Sequence, residues 1–407
     1  MSYFKNVELA AKHNISESTV RNWVKMAREG KLELALSEEK GKHYVANLPS
    51  NIPIIERLVE ENKKYRNTRS AKTVTPKPEF YELFSTEQMY DIVRNLEIHH
   101  EIPRQYNYFD GGASEWDKYT EQLVQENIPN LLNRTVNLIV DNQGYLDKRL
   151  SKYHKVNVID IGVGNARPAE QILTHLLEKG ILGRYIAIDI SPEMIAIAQR
   201  NIERWFGDKV TFEGHQLDIT SERFANLLTD DYLNDATKGT ANLVLLLGGT
   251  ADNLRTPDDA FRTINESMNP NDLLLYSNKL ETEDMRPEWF NYETKPGKLT
   301  LAPRHRIVFN LLNIDESFYD VEIGFDPMNN QRYARTRLTV ALTLKFNFGD
   351  GERVLEFEKG DTLLLWRSWQ MTARSVYDQF ERTGFYTVHS SQAEDREYII
   401  TLSEVKR

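Results

Sequence analysis

Val156-Asn157-Val158-Ile159-Asp160-Ile161-Gly162-Val163-Gly164-Asn165-Ala166 runs on, after two residues, into Ala169-Glu170-Gln171-Ile172-Leu173-Thr174-His175-Leu176-Leu177. The first part reads as a buried strand, the two glycines as a tight turn, and the apolar residues at three- and four-residue spacing as a helix. Glycine belongs at such a turn because a Cβ would keep a ligand from the backbone, and the helix start offers free amides. A second apolar strand, Tyr185-Ile186-Ala187-Ile188, ends in Asp189, 25 residues after Gly164. An acidic residue at that tip is the acceptor that a ribose diol needs.

Further out, Ser191-Pro192-Glu193-Met194-Ile195 predicts a helix with Ser as its cap and Pro at its first position. Val210-Thr211-Phe212-Glu213 leads toward Leu217-Asp218-Ile219, where Asp218 can accept from an adenine amino group. Ala241-Asn242-Leu243-Val244-Leu245-Leu246-Leu247-Gly248-Gly249-Thr250 is an apolar strand ending in glycines, and Asp272-Leu273-Leu274-Leu275-Tyr276-Ser277 is the next one. Strands alternating with helices imply an α/β doubly wound parallel sheet whose ligands gather at the C-terminal strand ends.

At 407 residues the chain is long enough for two or three domains. With 40% hydrophobic and 28% charged residues it has no apolar run near the roughly 18 residues of a membrane span, so no membrane partner is expected. Met1 to Lys12 has no long apolar stretch, so no secretory leader is expected and the location reads as cytoplasmic. With no cysteine, disulfides, thiolate zinc sites and a Cys nucleophile are excluded. No arrangement of His, Asp and Glu on a helical pattern suggests a metal site, and none is expected.

The net charge of -10 is unevenly spread. Residues 1 to 77 hold 15 Lys and Arg against nine Glu and no Asp, a balance of +6, which leaves -16 on the other 330 residues. A basic head on an acidic body is the charge pattern of contact with a polyanion. In the head, Ser16 is placed to cap a helix with Val20, Trp23, Val24 and Ala27 on one face and Ser18, Thr19, Arg21, Asn22 and Lys25 on the other. A short helix around Val7 to Ala11, a turn and this second helix make a helix-turn-helix pattern, and Arg and Asn are the types that grip guanine and adenine bidentately. Residues 51 to 65 predict an amphipathic helix able to pair with its copy in a homodimer, and 63 to 77 reads as a linker.

With Gly30-Lys31-Leu32 and Gly41-Lys42-His43-Tyr44-Val45, this head resembles the MerR and excisionase type of winged helix-turn-helix. The resemblance implies a domain over 1–62 that meets duplex DNA through residues 1–72, with Arg21, Asn22 and Lys25 in the major groove and Lys42 and His43 on a wing.

The pattern Asp-x-Gly-x-Gly, lacking the third glycine of a dinucleotide fold, resembles class I methyltransferases. It implies S-adenosylmethionine as cofactor, bound by Asp160, Gly162, Gly164, Asp189 and Asp218. Thr75-Pro76-Lys77-Pro78-Glu79-Phe80-Tyr81, Leu247-Gly248-Gly249-Thr250-Ala251-Asp252-Asn253 and Phe309-Asn310-Leu311-Leu312 resemble the histidine-specific methyltransferases, the family of the ergothioneine-pathway enzyme that trimethylates the α-amino group of histidine. That resemblance implies a Rossmann-like core over 131–284 and 386–407 with an inserted α+β domain, over 78–130 and 285–385, that covers the cofactor and holds a small-molecule acceptor.

Asn253 matches the Asn that grips the amino acid in that family, and its amide offers both a donor and an acceptor. In Leu365-Trp366-Arg367-Ser368-Trp369 the Ser survives, but Trp366 stands where the family has Glu, and Ile98-His99-His100-Glu101-Ile102-Pro103-Arg104 replaces a tyrosine-rich segment. Trp366 and Ser368 are thus placed at the acceptor, and the departures imply a small amine or amino-acid-like acceptor larger, flatter or more apolar than histidine. Glu101, His99 and His100 are candidates to take a proton, and the sequence assigns no catalytic base. A second reading is a DNA-binding regulator whose methyltransferase fold senses S-adenosylmethionine or another ligand.

Overall fold

Seven strands form the central sheet: β1 (Lys155–Ile161), β2 (Leu182–Asp189), β3 (Thr211–Gln216), β4 (Thr240–Leu246), β5 (Leu273–Lys279), β6 (Phe385–Gln392) and β7 (Tyr398–Val405). Their spatial order is β6-β7-β5-β4-β1-β2-β3. β1 to β5 pair in parallel, and β7 runs antiparallel to both β5 and β6. The apolar runs are explained by burial on both faces. Tyr185 and Ala187 of β2 face one apolar cluster, with Ile172 and Leu173 of the helix Arg167–Glu178 and Ala198 and Ile202 of Pro192–Phe206. Ile186 and Ile188 face the other, with Phe261 and Ile264 of Pro257–Ser267 and Val376 and Phe380 of Ala373–Arg382. Ser191 caps its helix as expected, accepting from Met194 N at 3.3 Å, with Pro192 in the first turn.

The structure is a computed structural model and describes residues 3–13, 15–69, 71–126, 130–228, 239–281, 299–349 and 351–406, the side chains of 63–69 aside. Residues 285–298 of the expected acceptor domain lie outside the described residues. The chain divides into two units, Thr75–Leu338 with Thr362–Arg407, and Met1–Val74 with Thr339–Asp361.

The larger unit adds to its sheet an antiparallel one in which Gln331–Leu338 lies between Tyr319–Asp326 and Thr362–Trp369. It also holds the helices Thr86–His99 and Gly112–Glu126 and the 3-10 turn Arg104–Tyr108. Phe84 packs edge-on against Phe80 and Tyr106, which fixes the segment before the core. Among the described residues, no helix is long and apolar enough to cross a membrane.

The smaller unit begins with a small α+β domain. Its helices Asn6–Lys12 and Glu17–Arg28 join a three-stranded antiparallel sheet in which Lys42–Ala46 lies between Tyr3–Phe4 and Leu36–Glu39. Ser16 accepts from Thr19 N at 3.2 Å, and Val20, Trp23 and Val24 are buried with Leu9, Leu34, Val45 and Ile55. Lys40 and Gly41, both with positive φ, make the two-residue hairpin turn between Glu39 and Lys42. Asn51, 1% exposed, exchanges two hydrogen bonds with the Ala35 backbone and donates to Ala46 O.

One expectation is corrected here. Residues 63–77 do not form a bare linker: the helix Ile52–Arg69 runs through 63–69, and Lys72–Val74 is a strand parallel to Leu342–Leu344. Its pairing partner lies far along the sequence, so the short run Lys72-Thr73-Val74 carries no local sign of it. The run from Arg337 to Leu344 is divided between two sheets. Pairing with Thr362–Trp369 ends near Leu338, and Leu342–Asn347 pairs instead with Lys72–Val74 and Glu352–Phe357. Residues 339–361 therefore belong to the smaller unit.

Candidate active site

Gly162 N and Val163 N both donate to Ile188 O, at 2.8 and 3.2 Å, so the turn after β1 is tied to the tip of β2. Gly162 and Gly164 have φ of +64° and +54°, where a side chain is strained. At Gly162 a Cβ would also lie 2.7 Å from Thr250 Cγ2. At Gly164 it would point toward Trp116 Nε1, 3.7 Å away, so the indole of the helix Gly112–Glu126 roofs the turn.

Asp189, at the tip of β2, accepts from Gly164 N at 3.4 Å and Ser191 N at 3.0 Å. Burial pushes its carboxyl up to about 6 against the pull of these amides. A buried carboxylate held by backbone amides at this strand tip fits a ribose, whose two hydroxyls donate without bringing a competing charge. The turn and Asp189 therefore fit a nucleoside cofactor.

The two other expected acidic positions are engaged within the protein. Asp160 is buried and accepts from Tyr185 Oη at 2.7 Å, with its carboxyl pushed up to about 7, first by burial. Its side chain thus reaches into the core beside Tyr185. Asp218, half-buried after β3, accepts from Thr220 N at 2.9 Å and Thr220 Oγ1 at 2.6 Å and so shapes its own turn. It lies near enough to Asp91 to raise that carboxyl, though burial is the larger cause, and Asp91 accepts from Tyr106 Oη at 2.8 Å.

Asn253 ends the short 3-10 turn Ala251–Asn253 that follows β4 and its two positive-φ glycines, Gly248 and Gly249. Its Nδ2 donates to Gly249 O at 2.8 Å, and its Oδ1 accepts from Trp366 Nε1 at 2.6 Å. Trp369 Nε1 donates to Leu254 O at 2.9 Å, so two indoles of one strand dock on the loop after β4. Arg332 lies over the Trp366 ring, 5.6 Å from its centroid. Ser368, two residues from Trp366, is bonded by Gln370 Nε2 at 3.2 Å.

Glu101 is buried in an ion pair with Arg367. Burial raises its carboxyl and Arg367 draws it back, so this carboxylate is committed to a structural partner. His99 is the last residue of its helix, and His100 closes it with φ of +50°.

A second cluster joins residues that no sequence spacing links. Arg104 Nε donates to Tyr108 Oη at 3.1 Å, and its Nη1 lies 3.1 Å from His305 Nδ1, 201 residues away. Arg104 sits over the rings of Tyr108 and Trp116, and Arg304 over Tyr119 at 4.1 Å.

In the smaller unit, Arg21 pairs with Glu17 at 2.8 Å and Lys25 with Glu29 at 4.0 Å, both exposed. Asn22 Nδ2 lies 3.8 Å from Met26 Sδ. Lys42 and His43 begin the hairpin strand after the Lys40-Gly41 turn.

A parallel sheet closed by one antiparallel strand, with a glycine turn after its first strand and a buried acid at the tip of its second, defines a class I S-adenosylmethionine-dependent methyltransferase. A family model described as "Histidine-specific methyltransferase, SAM-dependent" matches residues 88–405, and the chain belongs to that family. It is an enzyme that transfers methyl groups from S-adenosylmethionine.

Among solved structures the chain is similar to an S-adenosylmethionine-dependent methyltransferase from Clostridium acetobutylicum, at 9% identity and a TM-score of 0.40, covering 72% of this chain and 99% of that one. It is also similar to the CcbJ methyltransferase from Streptomyces caelestis, at 14% and 0.39, covering 74% and 98%. A third likeness is to the mitomycin 7-O-methyltransferase MmcR, at 13% and 0.39, covering 99% and 88%. A search among curated proteins finds no match.

Proposed function

We propose that this enzyme methylates the nitrogen of a small amine or amino-acid-like acceptor other than histidine, bound beside Asn253, Trp366 and Ser368. The carrying observation is the Trp366–Asn253 hydrogen bond. In the histidine-specific pattern the position of Trp366 is a Glu, which can accept from an imidazole N–H; here an indole fills it and occupies the Asn253 oxygen. A flat, partly apolar wall favours an acceptor with a ring or an extended apolar side. S-adenosylmethionine supplies a methyl group on a sulfonium. The protein's part is to align the acceptor nitrogen and keep water out.

Gly162 and Gly164 are read as the cofactor turn and Asp189 as the acceptor for its ribose. Asp218 is assigned to the adenine end, and Asp160 supports the turn from the core side through Tyr185. The test is transfer of labelled methyl from S-adenosylmethionine to a panel of amino acids and aromatic and aliphatic amines, histidine included. Histidine as the best acceptor of the panel would overturn this reading.

The small α+β domain is read as a winged helix-turn-helix that binds duplex DNA as a homodimer. In support stand the Ser16-capped helix with its polar outer face and the basic hairpin tip at Lys40 to His43, together with the charge of +6 over residues 1–77, which lies on residues 63–77 because residues 1–62 are balanced. Arg21, Asn22 and Lys25 would enter the major groove, with Lys42 and His43 on the backbone.

A further inference from the structure

Arg104 is 9% exposed, yet no carboxylate of a described residue lies within ion-pair distance of it or of Arg304. Its partners are the Tyr108 hydroxyl, His305 and the faces of Tyr108 and Trp116. Arg304 stacks on Tyr119, and its Nε is buried without any hydrogen-bond partner. Burial, reinforced by the Arg104 and Arg304 charges, holds His305 down at about 3, so the imidazole between them is neutral and adds no further charge. Two guanidiniums in an aromatic box without an anion are costly, because buried charges are ordinarily paired.

The box adjoins the glycine turn. Arg104 lies over the same Trp116 ring whose Nε1 faces Gly164, and Ser191 Oγ, beside Asp189, donates to Tyr108 O at 2.8 Å. The ribose reading of Asp189 leaves the amino-acid end of the cofactor to extend along this turn.

We propose that Arg104 and Arg304 form a carboxylate subsite that takes the α-carboxylate at the methionine end of the cofactor, with Trp116 as its inner wall. This rests on the reading of Gly164 and Asp189 as the cofactor turn. The acceptor is the other source of a carboxylate, but its reading places it at Asn253 and Trp366, whereas this box is joined to Gly164.

The test compares S-adenosylhomocysteine, which carries the carboxylate, with 5′-methylthioadenosine, which lacks the whole amino-acid end, by calorimetry on the full chain. Wild type should bind S-adenosylhomocysteine more tightly. Arg304→Gln and, separately, Arg104→Gln should weaken S-adenosylhomocysteine by roughly tenfold to a hundredfold, the scale of a lost charge-assisted bond. Both should leave 5′-methylthioadenosine within about twofold, which also reports that the fold and nucleoside site are intact. If Arg104→Gln does not fold, Arg304→Gln alone decides. Unchanged S-adenosylhomocysteine affinity, or an equal loss of both ligands in folded variants, overturns the proposal. Wild type that binds neither ligand would instead sink the cofactor-turn reading beneath it.

Discussion

Trp366 Nε1 donates to Asn253 Oδ1 at 2.6 Å across 113 residues of sequence, and the same Asn holds Gly249 O through its Nδ2. Both ends of the amide are therefore in use before any acceptor arrives. Trp366→Phe keeps an apolar ring and frees the Asn253 oxygen, whereas Trp366→Glu restores the family's side chain. Free histidine should turn over well below about 1 per second with the wild type, a slow rate for an enzyme. Trp366→Glu should raise that rate and Trp366→Phe should not. Histidine methylation at an ordinary enzymatic rate by the wild type would refute the role given to Trp366.

Asp189 should make cofactor binding depend on pH. Its carboxyl titrates at about 6 because it is buried, and ribose hydroxyls donate to the ionised form. Binding should therefore be full above about pH 7 and weaken by up to tenfold per unit as the pH falls below 6. Asp189→Ala should cost roughly 1.5 to 3 kcal/mol of affinity and flatten the profile. Calorimetry with S-adenosylhomocysteine from pH 5 to 8 reads both effects, and an equally steep profile in the variant would assign the titration elsewhere.

Asp160 and Tyr185 form a buried pair, so Tyr185→Phe leaves a carboxyl without its donor. The loss should appear as stability, about 1 to 3 kcal/mol in denaturant unfolding. If Asp160 instead touched the cofactor itself, Asp160→Asn would weaken S-adenosylhomocysteine binding by more than tenfold with little change in unfolding.

Gly162→Ala places a methyl group 2.7 Å from Thr250 Cγ2 at a φ of +64°. It should cost about 1 to 3 kcal/mol through strain and overpacking. Adding Thr250→Ala removes both crowding atoms, Cγ2 and Oγ1, but leaves the backbone strain, so about half the loss should return. Complete recovery would show that φ at this turn is not under constraint.

For the head, anisotropy titrations of the full chain against genomic duplex fragments should show affinity that falls steeply with salt, as phosphate counterions are exchanged. Arg21→Ala should remove sequence preference and Lys42→Ala should lower affinity evenly across sequences. The preferred site should be a pseudo-palindrome with half-sites about one helical turn apart, if two heads bind together. No binding at low salt would reduce the domain to a docking module.

The sheet, its glycine turn and the acid at the tip of β2 are legible in the chain before it folds. Each is written in local pattern: apolar runs long enough to be buried on both faces, glycines where only positive φ fits, and a Ser-Pro helix start at Ser191. The Ser16 cap and the buried face of Val20, Trp23 and Val24 were legible for the same reason.

The partners of the polar groups came from the packing of distant segments. Asp160 turned into the core to meet Tyr185, Glu101 was taken by Arg367, and Arg104 was drawn to His305 and Trp116. The strand Lys72–Val74 likewise found its ladder on Leu342–Leu344. Hydrogen bonds and ion pairs are satisfied wherever the folded backbone brings a donor to an acceptor, and that meeting has no period in the sequence. Backbone propensity and apolar spacing are local properties, while the pairing of buried charges is settled only when distant segments pack together.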